Sequence, residues 1–269
     1  MTQKYELVKE SVIEEDYSGV NLYRIRALRD FGKVKKGDLG GYIEKESNLS
    51  HNDNCWIYGD AKVYGDAKVY DNAVVMDDSS VYGHARVFGD AVIQGGVQIY
   101  DKATIFGNAK VYDNAEVYGN TKVYDKAFIY GNVNIQGDTI IYGNSQVSNN
   151  AYVGGDAIIN GNARIRDNAL IRGTAYIGGN ADISNDMIVD DNALILGEFD
   201  IISITPMVLG RLSNSSSITF YRNNKNEICI VTHYSSSKLI DDVDLNNIKD
   251  ENYKNKFISL IDAVKIWLS

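Results

Sequence analysis

From Ile57 to Ile201 every sixth residue is aliphatic: Ile57, Val63, Val69, Val75 and onward without a slip. Two residues ahead of each stands a small one, usually alanine: Cys55, Ala61, Ala67, Ala73, Ser79, Ala85. A pair rich in Gly, Asp and Asn separates one unit from the next, as in Gly59-Asp60, Gly65-Asp66 and Asp71-Asn72. A period of six suits neither a helix, which repeats every 3.6 residues, nor a long flat strand, which repeats every two. It predicts short strands joined by tight corners, a β-helix. Alternation along each strand turns the small and aliphatic residues inward and the one between them outward, where Lys62, Lys68, Arg86, Lys110 and Lys122 stand. The Gly/Asp position never holds a branched residue, as expected if the corner needs backbone angles that Gly, Asn and Asp adopt at least cost.

The flanks read differently. A β-helix end exposes unpaired strand edges and an open core, so each end needs a cap. Residues 1–48 are expected to form an N-terminal β cap, 49–203 the repeat β-helix, and 204–269 a C-terminal αβ cap. In the first segment Leu22–Leu28 reads as a strand, Lys33–Lys36 as a basic turn, and Gly37–Gly41 as a loop whose three glycines allow sharp bends. Leu49 falls in the repeat phase, so a degenerate coil is expected to start there. After Ile201, Ser217–Tyr221 and Ile228–Thr232 read as a hairpin. Phe257, Leu260, Ile261, Val264, Trp267 and Leu268 recur at helical spacing.

The repeat unit resembles the hexapeptide motif of left-handed β-helix proteins, in which three hexads make one triangular coil. Leu22–Gly32, Gly37–Glu44, Asn48-Leu49-Ser50 and Trp56 resemble the entry segment of the YdcK-like hexapeptide-repeat proteins, a family frequent in phages and prophages and often catalogued as putative transferases. The resemblance implies a mainly β, left-handed parallel β-helix in which every third hexad is stacked, hence about eight coils. It implies no settled activity and supplies no catalytic residue.

Charge narrows the partners. The net charge is −9, and residues 55–201 hold 19 acids against 10 bases, so acids and bases cancel outside the repeats. An acidic repeat disfavours binding to a phosphate backbone, and no nucleic-acid partner is expected. No apolar run is long enough to span a bilayer, and the N-terminus has no leader-like pattern; a cytoplasmic location is expected. Of two cysteines, Cys55 takes an inward position and Cys229 an apolar strand, which suits buried thiols rather than a metal framework.

Three groups of residues carry candidate chemistry. The position after each aliphatic is aromatic in most units up to Tyr142 and in none from Ser148 on. Stacking of every third hexad makes one column of Tyr64, Tyr82, Tyr100 and Tyr118 and another of Tyr70, Phe88, Phe106, Tyr124 and Tyr142. These columns either bind a partner or only stabilise the coils. Arg164, Arg166 and Arg172 form a basic cluster suited to an anion, unless Asp182 and Asp190, each three hexads on, pair with Arg164 and Arg172. His84, expected between Asp66 and Lys102, is the weak candidate for a general base. Asn114, Asn132, Asn150 and Asn168 form an amide column. Its neighbouring carboxylates are spread one per coil, unlike a calcium site. His51, His84 and His233 are too dispersed for zinc.

These features favour a non-catalytic protein that binds a macromolecule or a small anionic ligand. An acyl-CoA-dependent acyltransferase and a structural module of a larger assembly are the alternatives. No cofactor or metal is expected for the first; an acyl-CoA is for the second. The oligomeric state stays open.

Overall fold

The computed structural model describes residues 3–14, 19–189, 193–197, 200–201, 209–212, 216–222, 228–232, 238–239 and 258. The repeats form a parallel β-solenoid of about eight turns, three short strands to a turn. The chain divides into two compact units, Met1–Asn144 and Ser145–Ser269.

In the first unit each strand pairs in parallel with the strands three hexads before and after it. Val63, Val81, Ile99, Val117 and Ile135 make one inward column. Ile57, Val75, Ile93, Val111 and Ile129 make a second, and Val69, Val87, Ile105, Val123 and Ile141 a third. All fifteen are buried, as are the alanines two residues ahead of them. Where a hydroxyl replaces alanine it finds a carbonyl: Thr121 Oγ1 donates to Tyr118 O at 2.7 Å, Thr139 Oγ1 to Gln136 O at 2.7 Å, and Ser79 Oγ to Gly95 O of the next coil at 2.9 Å. A buried polar atom is thereby satisfied without disturbing the column.

The second unit repeats the arrangement with Val147, Ile165, Ile183 and Ile201 in one column. Val153, Ile171 and Val189 form the next, and Ile159, Ile177 and Ile195 the last. Further on, Ser216–Arg222 and Ile228–Thr232 pair antiparallel as the expected hairpin, inside a four-stranded sheet with Leu209–Leu212 and Lys238–Leu239. The helical spacing over Phe257–Leu268 lies outside the described residues except for Ile258, which is helical.

The corners carry a second device. Every sixth residue from Gly59 to Asn185 has φ between 56° and 102°, the left-handed region that L side chains other than Asn and Asp rarely enter. At several aspartate corners the carboxylate reaches the N–H of the corner residue one coil on. Asp71 accepts from Gly89 at 3.1 Å, Asp101 from Gly119 at 3.2 Å, Asp113 from Gly131 at 2.8 Å, Asp125 from Gly143 at 3.3 Å and Asp167 from Asn185 at 3.1 Å. Aspartate thus both tolerates the corner and satisfies a backbone donor, and these five carboxylates have a structural role.

This sets an expected pH dependence. The Asn185 N–H above all holds the Asp167 carboxyl below its usual range against the opposing cost of desolvation, helped by the Asn149 amide and Arg166. A carboxyl depressed in the folded state adds stability above its unfolded range and loses it as pH falls through the folded value. Asp167→Asn, which keeps a residue that tolerates the φ of 60° but removes the charge, should melt lower than the native protein at neutral pH. The gap between the two melting curves should narrow as pH falls below about 4, and a gap that stays constant well below that would refute the assignment.

The entry segment adds three antiparallel-linked strands to one sheet of the first unit. β1 (Tyr5–Glu14) pairs antiparallel with β2 (Asn21–Ala27), and β2 with β3 (Leu39–Ile43). β3 then runs parallel to Lys62–Val63. The expected strand over Leu22–Leu28 is present, shifted by one residue. Leu49 is buried, as an inward residue should be, but it bridges in parallel to Val69 and not to Ala67 three hexads on, so the entry segment meets the coils two residues out of step with them. Gly37–Gly41 corrects the sequence reading. Gly37 turns, with φ 95°, but Gly40 and Gly41 lie inside β3 and are needed for space, not bending. A Cβ on Gly40 would stand 2.6 Å from Ile25 Cγ1 and from Ile57 O, and 2.7 Å from Trp56 Cζ2; one on Gly41 would collide with Ala61 O. Trp56 takes an outward position of the first coil yet is fully buried beneath this segment, edge-on to Phe31 at 5.2 Å.

Candidate functional site

The aromatic columns form as the spacing predicted. Tyr64, Tyr82, Tyr100 and Tyr118 stack with centroids 4.7–5.0 Å apart and planes within 6°. Tyr70, Phe88, Phe106, Tyr124 and Tyr142 stack at 4.7–5.1 Å. All are half-buried. Tyr118 Oη donates to Asn134 Oδ1 at 3.3 Å. Burial, then Glu116 and the neighbouring phenols, pushes the Tyr100 hydroxyl up to about 12. The geometry constrains what the columns can bind. Each interior ring already has a ring on either side, so a further planar group can stack only at a column's end or touch ring edges and hydroxyls along it.

Their structural contribution is testable by itself. Phe88 lies between Tyr70 and Phe106, and each stacked contact is worth about 0.5–1.5 kcal/mol. Phe88→Ala should therefore cost about 2–4 kcal/mol once the lost burial is included, read as a lower urea midpoint with an unchanged slope. A loss below about 0.5 kcal/mol would leave the column without a stabilising role.

The amide column is also present. Asn114 donates to Asn132 at 3.2 Å and Asn150 to Asn168 at 3.2 Å; Asn168 continues to Asp186 at 2.9 Å. A ladder the sequence reading missed runs from Asn54 to Asn72 at 3.2 Å and on to Asp90 at 3.0 Å. The three-hexad spacing of Asn54, Asn72 and Asp90 was its signal.

The arginine cluster is arranged differently from expectation. Arg164 is in register with Asp182 along the backbone, but Arg166 takes that carboxylate. Its Nε lies 2.8 Å from Oδ1 and its NH2 3.3 Å from Oδ2, with NH1 3.3 Å from Asp167. Asp182 is buried; Arg166, two residues beyond Arg164, meets its carboxylate side-on from the corner while Arg164 stays exposed. Arg172 is exposed, and its suggested partner Asp190 lies outside the described residues.

His84 stands at a corner, as expected. Its side chain is 67% exposed, with Nδ1 3.6 Å from Asp66 Oδ2; Asp66 also takes Lys45 at 2.9 Å. The coils keep their phase through this region without an inserted residue, which leaves the imidazole in solvent. His51 instead stacks on Tyr5 at 4.2 Å, and its Nδ1 accepts the backbone N–H of Lys4; burial pushes its pKa down. His233 lies outside the described residues. Among the described residues no three His, Cys, Asp or Glu side chains converge to hold a metal ion.

One concavity was not anticipated. A groove of about 510 Å³ opens in the first unit, lined by the Gly32-Lys33 turn, Asn54, Asn72 and Asp77 together with Tyr58, Val74 and Met76. It lies where methionine stands at a position that is aromatic in most of the neighbouring hexads. The break at Met76 is visible in the sequence; the wall supplied by the Gly32-Lys33 turn is not.

No known protein-family model matches the chain, and no curated protein matches it. None of the described helices is long and apolar enough to cross a membrane.

Proposed function

We propose that this chain is a non-catalytic binding protein, a β-solenoid that displays side chains for a macromolecular partner or a small anionic ligand. One observation carries the reading. The hexad phase runs unbroken from Ile57 to Val189, so no loop leaves the coils to wall in a base or a substrate, and His84 stays solvated. General acid–base catalysis needs a base held within hydrogen-bond reach of a bound substrate, and an exposed corner residue offers no such hold. The groove beside Met76, lined by Lys33 and Asp77 as well as by amides and apolar side chains, suits a small ligand with an apolar body, the exposed Arg164 suits an anion, and the edges of the tyrosine columns suit a protein. A host protein would be the partner if the YdcK-like resemblance extends to a phage setting.

Acidity does not favour mimicry of DNA. Duplex DNA presents about one charge per 1.7 Å, whereas the acids of the repeats are interleaved with bases, and Asp71, Asp101, Asp113, Asp125 and Asp167 are tied to backbone N–H groups.

The test is capture of partners from the native host with native mass spectrometry of the purified chain, together with acetyl-CoA turnover by native and His84→Ala proteins. A bound partner whose affinity changes less than tenfold between roughly 50 and 200 mM salt, with no turnover, is the expected result. Acetyl transfer lost in folded His84→Ala would put the acyltransferase in its place.

A further inference from the structure

Lys4 is fully buried, an unusual place for an ammonium group. Its Nζ lies 2.9 Å from Cys55 O, 3.1 Å from Asn52 O and 3.2 Å from Cys55 Sγ. The Phe31 ring covers it at 5.1 Å. Among the described residues no carboxylate forms an ion pair with it, so a charge there would lack the close counter-ion that a buried ammonium usually has. Burial pushes the amine's pKa down and that of the Cys55 thiol up. In its neutral form the amine keeps a nucleophilic lone pair while two carbonyls accept its protons. The thiol is equally enclosed: Cys55 is fully buried, with Ser50 O 3.5 Å from Sγ.

Two carbonyl acceptors would be satisfied by any buried donor, water included. The distinctive element is an amine whose remaining direction points at sulfur.

We propose that Lys4 and Cys55 are an oxidative modification site, at which dioxygen joins Nζ to Sγ through one bridging oxygen. The S–H bond, one N–H bond and the O–O bond break; one S–O, one O–N and two O–H bonds form. One oxygen atom remains as the bridge and the other leaves as water. Sulfur and nitrogen each give up two electrons, and dioxygen takes all four. The 3.2 Å separation of Nζ and Sγ suits an inserted atom, whereas a direct S–N bond would pull two packed segments together in a core that resists compression. Dioxygen is small and apolar enough to enter such a core. The link would fasten the chain just ahead of β1 to the first coil, closing a loop between residues 51 apart in sequence.

The experiment compares the full chain purified under air with the same chain purified anaerobically under reductant. Peptide mapping should find the Lys4 and Cys55 peptides joined in the aerobic sample, heavier than their sum by one oxygen and lighter by two hydrogens. A thiol reductant should separate them and lower the melting temperature by several degrees. Neither the joined peptide nor the reductant-sensitive shift should occur in Lys4→Arg, which keeps a donor for the carbonyls but no primary amine, nor in Cys55→Ser. Unlinked thiol, or sulfenic and sulfinic acid confined to Cys55, would overturn the proposal, as would a linked species persisting in Lys4→Arg.

Discussion

Val117→Asp should leave the protein without a cooperative native transition at room temperature. Val117 is fully buried between Ile99 and Ile135 of the coils on either side. Losing the valine forfeits about 1.5–3 kcal/mol of burial, and an unpaired carboxylate in that column adds several more. Together these approach the roughly 5–15 kcal/mol that holds a whole domain. A solenoid coil has only two neighbours to redistribute the loss. Val117→Ile is the control: isoleucine already fills adjoining positions of the same column, so its melting temperature should stay close to native. Native-like melting of Val117→Asp would mean that the inward face is misassigned.

The second large effect is expected from a single methyl group. In Gly41→Ala the new Cβ meets the carbonyl oxygen of Ala61 and, at 2.5 Å, Ile57 Cγ2. Backbone oxygen cannot rotate away, so β3 must lift from the first coil. The cost should be at least about 3 kcal/mol, at the upper end for overpacking. Gly37→Ala is the comparison, since a Cβ there meets nothing within 4 Å and only the positive φ is strained, worth about 1–2 kcal/mol. Denaturant midpoints should place Gly41→Ala well below Gly37→Ala. The reverse order would mean that β3 needs its glycines for bending after all.

That pair of glycines also shows where sequence reading stops. The coils were legible because one periodicity fixes inward residue, corner residue and stacking partner together, so Val63, Gly65 and Tyr64 each follow from phase alone. The ladder from Tyr64 to Tyr118 was legible for the same reason. Gly40 and Gly41 were not, because their neighbours Ile25, Trp56 and Ala61 come from other segments, and adjacent glycines look the same whether they turn or make room. Lys4 was equally silent: a lysine near a chain start reads as solvated until the segment leading into β1 is placed over Cys55. The Arg166–Asp182 pair was half legible. Stacking of every third hexad brought the right coils together, but a guanidinium reaches diagonally, and the offset between Arg164 and Arg166 changed the partner. The groove needed the turn at Lys33 to be placed against the Asn54–Asn72 ladder, which no periodicity specifies.

The corner aspartates have a consequence for how a growing chain keeps count. Small and aliphatic residues recur every six positions, so the core would accept a coil laid down one hexad out of step almost as readily as a correct one. Such a slip would leave every inward valine inward. It would not leave Asp113 above Gly131, or Asn54 above Asn72, because those partners are spaced by a whole turn of 18. The hydrophobic interior therefore measures the hexad, and the polar ladders on the outside measure the turn. Insertions or deletions of one complete turn preserve both rulers, so a chain of this kind can lengthen or shorten by coils over evolutionary time while every other change in length is penalised at its surface.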